Sequence, residues 1–205
     1  MPRLATWTDY RESIGDRSAM FAALVQRWGI SRALYVGSYV DLSPSTAIPT
    51  VTYVDTDRRA AQFFVDEARA RDELAGRTRA GAGVDVRFME ADFTEPLAVP
   101  DQSVDLLISL FTVPAWQHCR RYVREHGWLL ANASHGEASL AALDPRLRLA
   151  AVVHQRGGRY RVTTHELTSY LVPKRPEAAD ADTIRRTGRG VAYTRSAFAY
   201  LFEQV

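Results

Sequence analysis

Short apolar runs alternate with stretches of helical spacing from the N-terminus to Ala133. The runs Ala33 to Gly37, Thr50 to Asp55, Val84 to Glu90, Val104 to Leu110 and Trp128 to Ala133 are strand-length and bounded by turn residues, which predicts five strands. Between them the spacing changes. Phe21, Leu24, Val25 and Trp28 follow the i, i+3, i+4, i+7 rule and predict a helix over 16–29, closed by Gly29. Ala61, Phe64, Val65 and Ala68 predict one helix from Arg58 to Leu74. Trp116, Cys119 and Val123 predict another from Ala115 to Glu125, ended by His126-Gly127. Gly76, Gly81 and Gly83 punctuate one loop, and Pro96 and Pro100 another. Strands alternating with helices imply an α/β fold with a mostly parallel sheet.

The pattern then changes. Leu149 to His154 and Tyr160 to Thr164 read as two strands joined through Arg156-Gly157-Gly158, a hairpin signal. Pro173 to Asp182 is polar and reads as an exposed loop. Val191 to Thr194 reads as a short extended piece, and Thr194 or Ser196 is placed to cap a last helix through Phe202. At 205 residues this amounts to a single domain. It has an N-terminal helical segment (1–31), a Rossmann-like core with a terminal antiparallel hairpin and flanking helices (32–164), and a C-terminal helical extension (165–205).

Two strand ends carry the first chemical signal. Gly37, lacking a Cβ, lets the backbone turn tightly and approach a ligand. Asp55 puts a carboxylate where it can accept two hydrogen bonds from a ribose diol. The interval from Gly37 to Asp55 suits a first strand, a crossover and a second strand around a nucleoside, for which the glycine and the acid stand roughly 20 residues apart. A parallel crossover needs about a dozen residues, and the stretch from Ser38 to Thr50 is near that minimum, so the usual first helix is short or missing. Ser43 is placed to cap a short turn beginning at Pro44. A dinucleotide fingerprint would need glycines where Tyr39 and Leu42 stand, and no glycine-rich stretch ends in Gly-Lys-Ser or Gly-Lys-Thr.

Over about residues 20–165 the order of elements resembles the class I S-adenosylmethionine-dependent methyltransferases. The resemblance implies a sheet ending in an antiparallel hairpin, S-adenosylmethionine as cofactor, and transfer of its methyl group to an acceptor. Gly37-Ser38-Tyr39-Val40-Asp41 stands where that family has glycines at alternate positions, and Tyr35 stands at its usual acidic position. By the same resemblance Asp55, with Asp57 as a neighbouring substitute, holds the ribose, and Asp92 and Phe93 meet the adenine. Gly37, Ser38 and Tyr39 line the rest of the cofactor, with Ser109 and Leu110 at the end of the fourth strand. The run from Pro100 to Leu107 looks like the family's entry into that strand. Asp at a strand-to-helix junction is also a common N-cap, and both duties stay open for Asp55 and Asp57.

The cluster Asn132-Ala133-Ser134-His135-Gly136-Glu137 closes the fifth strand, and His135 is the candidate general base, or a residue that shapes the turn. A second reading, motivated by the altered glycine motif, is a methyltransferase-like domain that binds or scaffolds without catalysis.

Bulk properties narrow the partners. The net charge of +2 hides an asymmetry: residues 150–205 hold nine basic and five acidic side chains, including the single Lys174. Basic groups at Lys174, Arg175, Arg185, Arg186 and Arg189 with Tyr193, Tyr200 and Phe202 keep a nucleic-acid partner open, although a small-molecule acceptor is favoured. The apolar runs are too short for a membrane span, and the start of the chain, Met1 to Tyr10, lacks the apolar stretch of a secretory signal, so a cytoplasmic location is expected. Cys119 is the only cysteine and reads as a small buried hydrophobe. The histidines at 118, 126, 135, 154 and 165 lack metal-ligand spacing, so no metal is expected.

Overall fold

The computed structural model describes residues 5–78 and 83–205, and Gly81 of the predicted loop lies outside them. In chain order the elements are α1 (Trp7–Ile14), α2 (Ser18–Trp28), β1 (Arg32–Val36), β2 (Thr50–Asp55), α3 (Arg58–Phe64) and α4 (Glu67–Leu74). There follow β3 (Asp85–Glu90), β4 (Val104–Ser109), α5 (Trp116–Cys119), β5 (Val123–Ala131) and α6 (Glu137–Leu143). Last come β6 (Leu147–Arg156), β7 (Arg159–Thr163), α7 (Ala181–Thr187) and β8 (Ala199–Gln204). The strands form one sheet in the order β3-β2-β1-β4-β5-β8-β6-β7.

The first five strands are parallel, with the register running from Thr50↔Asp85 to Asp55↔Glu90 on one side of β2 and from Arg32↔Thr50 to Val36↔Val54 on the other. Alternate side chains of each strand enter one of two apolar cores. Ala33, Tyr35, Val51, Tyr53, Leu106, Ile108 and Leu130 face α1 to α4. Leu34, Val36, Val54, Leu107, Leu129 and Ala131 face α5 and α6. The period of two thus builds a three-layer α/β/α sandwich. The predicted hairpin is present as β6 and β7, paired from Val152↔Thr163 to Arg156↔Arg159, with Gly157 and Gly158 both at positive φ as the two-residue turn requires.

The sequence reading of a C-terminal helical extension is overturned. Residues 199–204 are a strand, inserted antiparallel between β5 (Ala131↔Tyr200) and β6 (Val153↔Ala199). Ala199 and Leu201 enter one core, Tyr200 and Phe202 the other, all within 1% of full burial. A strand apolar on both faces shows no alternation, so its periodicity does not separate it from a buried helix. Two 3-10 turns (Leu167–Ser169 and Pro176–Ala178) and one α-helix, α7, lie earlier; α7 begins at the end of the predicted loop, with Asp180 accepting from the Thr183 amide as its N-cap.

Three smaller departures have local causes. The predicted helix from Arg58 to Leu74 is two helices, because Asp66 caps a new one through the Arg69 amide (3.1 Å). Val65, between the two helices, is 86% exposed, and the buried positions are Ala60, Phe63 and Phe64 of α3 and Ala70 and Leu74 of α4. The predicted helix after Ala115 ends within two turns, and β5 begins at Val123, with His126 at φ 56° and a register shift opposite Val104 and Leu106. The short crossover holds a 3-10 turn, Ser43–Thr46, as expected, but the Ser43 hydroxyl has no partner among the described residues and the Asp41 carboxylate accepts from the Ser43 amide instead (3.0 Å).

Asp105 of β4 ties neighbouring strands together. One oxygen accepts from the Ser31 amide (2.8 Å), the Ser31 hydroxyl (2.9 Å) and the Arg32 amide (2.9 Å), and the other from Arg124 Nε (2.7 Å). Burial pushes this carboxyl up, but Arg124 and the Ser31 and Arg32 donors outweigh it and hold it below the ordinary Asp value. A depressed folded value means that the stabilisation is complete above the unfolded pKa of about 4 and lost as pH falls through the lower folded value. Asp105→Asn is expected to lower unfolding free energy in urea by about 1–3 kcal/mol at pH 7 and to flatten its decline in acid. The position of β8 has its own check: Leu201→Ala should cost about 2–5 kcal/mol in the same assay, and Val65→Ala less than about 0.5 kcal/mol.

Candidate functional site

The β1–β4 boundary is the switch point of the parallel strands, because β2 and β3 lie to one side and β5 to the other. Ligands of open α/β sheets bind outside the C-terminal ends of such strands. Here the chain leaves β1 through Gly37, whose amide donates to Val54 O (2.9 Å) at φ +62°, and Tyr39 follows at φ +46°. Asp55, half-buried at the end of β2, holds this loop. Its Oδ2 accepts from the Tyr39 amide (2.7 Å) and its Oδ1 from the Asp57 amide (2.8 Å). Asp57 caps α3 through the Arg59 amide (2.8 Å), so of the two acids the N-cap duty falls to Asp57. The Tyr39 ring meets Tyr10 edge-on at 5.1 Å and lies under the Arg59 guanidinium at 5.1 Å.

Beneath the loop lies a buried ion pair. Arg17, just before α2, donates through Nη1 to Asp41 Oδ2 (3.1 Å), and the Tyr35 hydroxyl donates to the same oxygen (3.2 Å). Side-chain exposure is 4% for Arg17 and 0% for Asp41. Burial drives the Tyr35 phenol far above its ordinary value, so it stays a donor at any working pH. Asp41 therefore sets a carboxylate beside the phenol that stands at position 35.

The other wall is the segment after β4. Ser109 and Leu110 are buried, and the Ser109 hydroxyl donates to Glu137 Oε2 (3.1 Å). Glu137 also accepts from the Ala115 amide and, through Oε1, from the Trp116 amide (3.2 Å). Burial nonetheless raises its pKa above the ordinary Glu value. Asn132 Oδ1 accepts from the Phe111 amide (3.2 Å) and the Ser134 amide (3.3 Å). Between these anchors Phe111 sits at φ +60° with its ring half-exposed, and Thr112 packs directly on Gly37. A Cβ added to Gly37 would lie 2.6 Å from Thr112 Cβ and collide with Oγ1.

Asp92 is exposed beyond β3 and accepts at Oδ1 from the Thr94 amide (2.9 Å) and hydroxyl (2.7 Å), while Phe93 is buried in the second core. His135 is exposed at φ +53° in the turn after β5. Ser38 is buried, its hydroxyl donating to Tyr39 O (3.3 Å). The structure thus gathers Gly37, Ser38, Tyr39 and Asp55 around one loop. Ser109 and Leu110 lie below the adjoining strand end, Asp92 and Phe93 beyond β3, and His135 across the edge at β5. Cys119 is fully buried, and desolvation pushes its thiol up to about 12, so it stays protonated at neutral pH.

The acceptor is expected from the sequence to enter over Ser109 to Val113, which includes Thr112; what escaped the sequence reading is Arg17 and the contact of Thr112 with Gly37. An acid between Val40 and Leu42 is a signal that a buried cation must answer Asp41, but it does not say which arginine. Nothing in the sequence sets Thr112 against Gly37.

No family model matches the sequence, and no curated protein does. Solved structures do. A methyltransferase from Geobacter sulfurreducens is similar at 14% identity and a TM-score of 0.52, over 79% of this chain and 90% of that one. A SAM-dependent methyltransferase from Methanosarcina mazei gives 13% identity and 0.48 over 89% and 97%. For the YcgJ protein from Bacillus subtilis the figures are 17% and 0.40, and this chain spans about half of that protein's length (54% and 48%). The fold is that of the class I S-adenosylmethionine-dependent methyltransferases.

The contact between Gly37 and Thr112 predicts a measurable coupling. Gly37→Ala should lower stability by about 1–3 kcal/mol, from the positive φ and from the clash. Adding Thr112→Ala should recover part of that loss in a double-mutant cycle in urea, the part due to the clash.

Proposed function

We propose that this chain is a methyltransferase that binds S-adenosylmethionine and passes its methyl group to an acceptor, a small molecule in the first instance. The observation that carries the reading is Asp55. Its carboxylate is fixed by two backbone amides at the switch-point end of β2, is half-exposed, and uses one acceptor site on each oxygen. Each oxygen keeps another for one hydroxyl of a ribose diol. Asp92, exposed two residues beyond the Asp55↔Glu90 pair, is the partner for the adenine amine. Phe93, buried under that turn, shapes it from below.

These residues fit the nucleoside part of the cofactor. The part beyond the ribose would lie along Gly37 and Ser38, and it does not fit while Thr112 occupies that face of Gly37. The bound cofactor supplies an activated methyl group on a sulfonium, a good leaving group, so the chain's task is chiefly to hold the acceptor in line. The acceptor side of the cleft is the edge from Ser109 to Val113 and the turn at His135. The exposed imidazole of His135 is available there to take a proton from a hydroxyl or amine.

The rival reading, a methyltransferase-like binding module without catalysis, draws on the same Thr112 contact and on the buried Arg17–Asp41 pair. Calorimetry with S-adenosylmethionine and S-adenosylhomocysteine tests the cofactor site, and detectable methyl turnover on top of binding would exclude the rival. Enzymatic duty predicts binding at or below about 100 μM, near −5.5 kcal/mol, weakened at least tenfold by Asp55→Ala. Absence of heat at millimolar ligand, or affinity indifferent to Asp55, would sink the methyltransferase reading.

A further inference from the structure

The proposed function leaves three observations unused, and they are linked to Gly37 through Thr112 and its neighbour Phe111. Arg17 is almost fully buried, yet its Nε–H has no hydrogen-bond partner among the described residues. The Phe111 ring covers its guanidinium at 4.8 Å, and Thr112, the next residue, covers Gly37. Phe111 itself is in the left-handed region, unusual for a bulky side chain, and it and Val113 are about half-exposed, whereas Leu106 to Leu110 are buried. A buried donor without a partner is costly, and a strained backbone with exposed apolar side chains is costly in the same place. Both costs fall when the segment moves out and an acceptor comes in.

We propose that Phe111 and Thr112 form a displaceable lid over Gly37 and Arg17, and that the ligand end which displaces it carries a carboxylate for the Arg17 Nε–H. The inference rests on the nucleoside reading of Asp55 and extends it to the other end of the ligand. The ends of the lid are fixed, at Asn132 through the Phe111 amide and at Glu137 through the Ala115 and Trp116 amides. Only the Phe111 side chain and residues Thr112 to Pro114 need swing. A guanidinium edge suits a planar carboxylate. Arg17 and Asp41 are neutral as a pair, so a ligand end with an ammonium beside its carboxylate adds no net charge to a buried site. Asn132 and Glu137 are positioning residues in this scheme, since they touch the lid and not the ligand.

The test compares S-adenosylhomocysteine with 5′-methylthioadenosine, which keeps the nucleoside and lacks the amino-acid end. Calorimetry on the full chain is expected to show Thr112→Ala binding S-adenosylhomocysteine at least tenfold tighter than the parent. The same variant should change methylthioadenosine affinity less than twofold, and Thr112→Val, which keeps the bulk, should stay within threefold of the parent. Arg17→Lys keeps the charge and loses the Nε donor. It should weaken S-adenosylhomocysteine at least tenfold and leave methylthioadenosine unchanged, which also shows that the variant is folded. Equal effects of Thr112→Ala on the two ligands, or none, would overturn the lid while the nucleoside reading stands. An Arg17→Lys variant that still binds methylthioadenosine and loses nothing toward S-adenosylhomocysteine would overturn the carboxylate. If neither ligand binds the parent or Thr112→Ala, the reading of Asp55 fails and the lid falls with it.

Discussion

The last strand is the constraint on which the rest of this fold depends. Residues 199–204 lie inside the sheet, hydrogen-bonded to β5 on one side and to β6 on the other. Without them the five parallel strands and the β6–β7 hairpin would each present an open edge, and both cores would lose their middle. Tyr200 and Phe202 fill one core and Ala199 and Leu201 the other, so a single strand joins the two apolar layers. Its pairing with β5 joins residues far apart in sequence, a non-local contact of the kind that slows folding.

That arrangement also explains where residues 165–198 go. A chain that must re-enter the sheet from the C-terminal edge of β6 crosses that edge first. Pro173 pairs with Tyr193, the Val191 amide donates to Ser139 Oγ (2.9 Å), and Gly190 lies so close to Ala133 O that a Cβ there would be 2.8 Å away. The connection is therefore packed against the turn that carries His135.

On the other side of the switch point the short crossover sets the terms. The stretch between β1 and β2 leaves no room for a long helix, and the loop from Ser38 to Ile48 is almost wholly buried. A buried loop must satisfy its own polar groups. Asp41 does this with Arg17, Tyr35 and the Ser43 amide, and Asp55 with the Tyr39 amide. Tyr35 and Asp41 thus serve the buried loop directly through their side chains. Arg17 and Asp41 are distant in sequence, and their pairing makes the N-terminal helices part of the candidate site.

The parallel strands were legible in the chain because each is a short apolar run between turn residues, and Gly157-Gly158 marked the hairpin because only certain residues tolerate that turn. Asp55 was legible for the same kind of reason, as a polar group at the end of an apolar strand. Local preference, then, determined the α/β order, the strand ends and the candidate acids. It did not determine β8, because a strand buried on both faces and a buried helix can share one pattern of apolar residues. Nor did it determine the break at Asp66, where an N-cap outweighed a continuous helical stripe, or the meeting of Thr112 with Gly37 and of Arg17 with Asp41. Those contacts join segments far apart in sequence, and only the tertiary structure decides them, because what selects them is the space and the unpaired charge left once the sheet has formed.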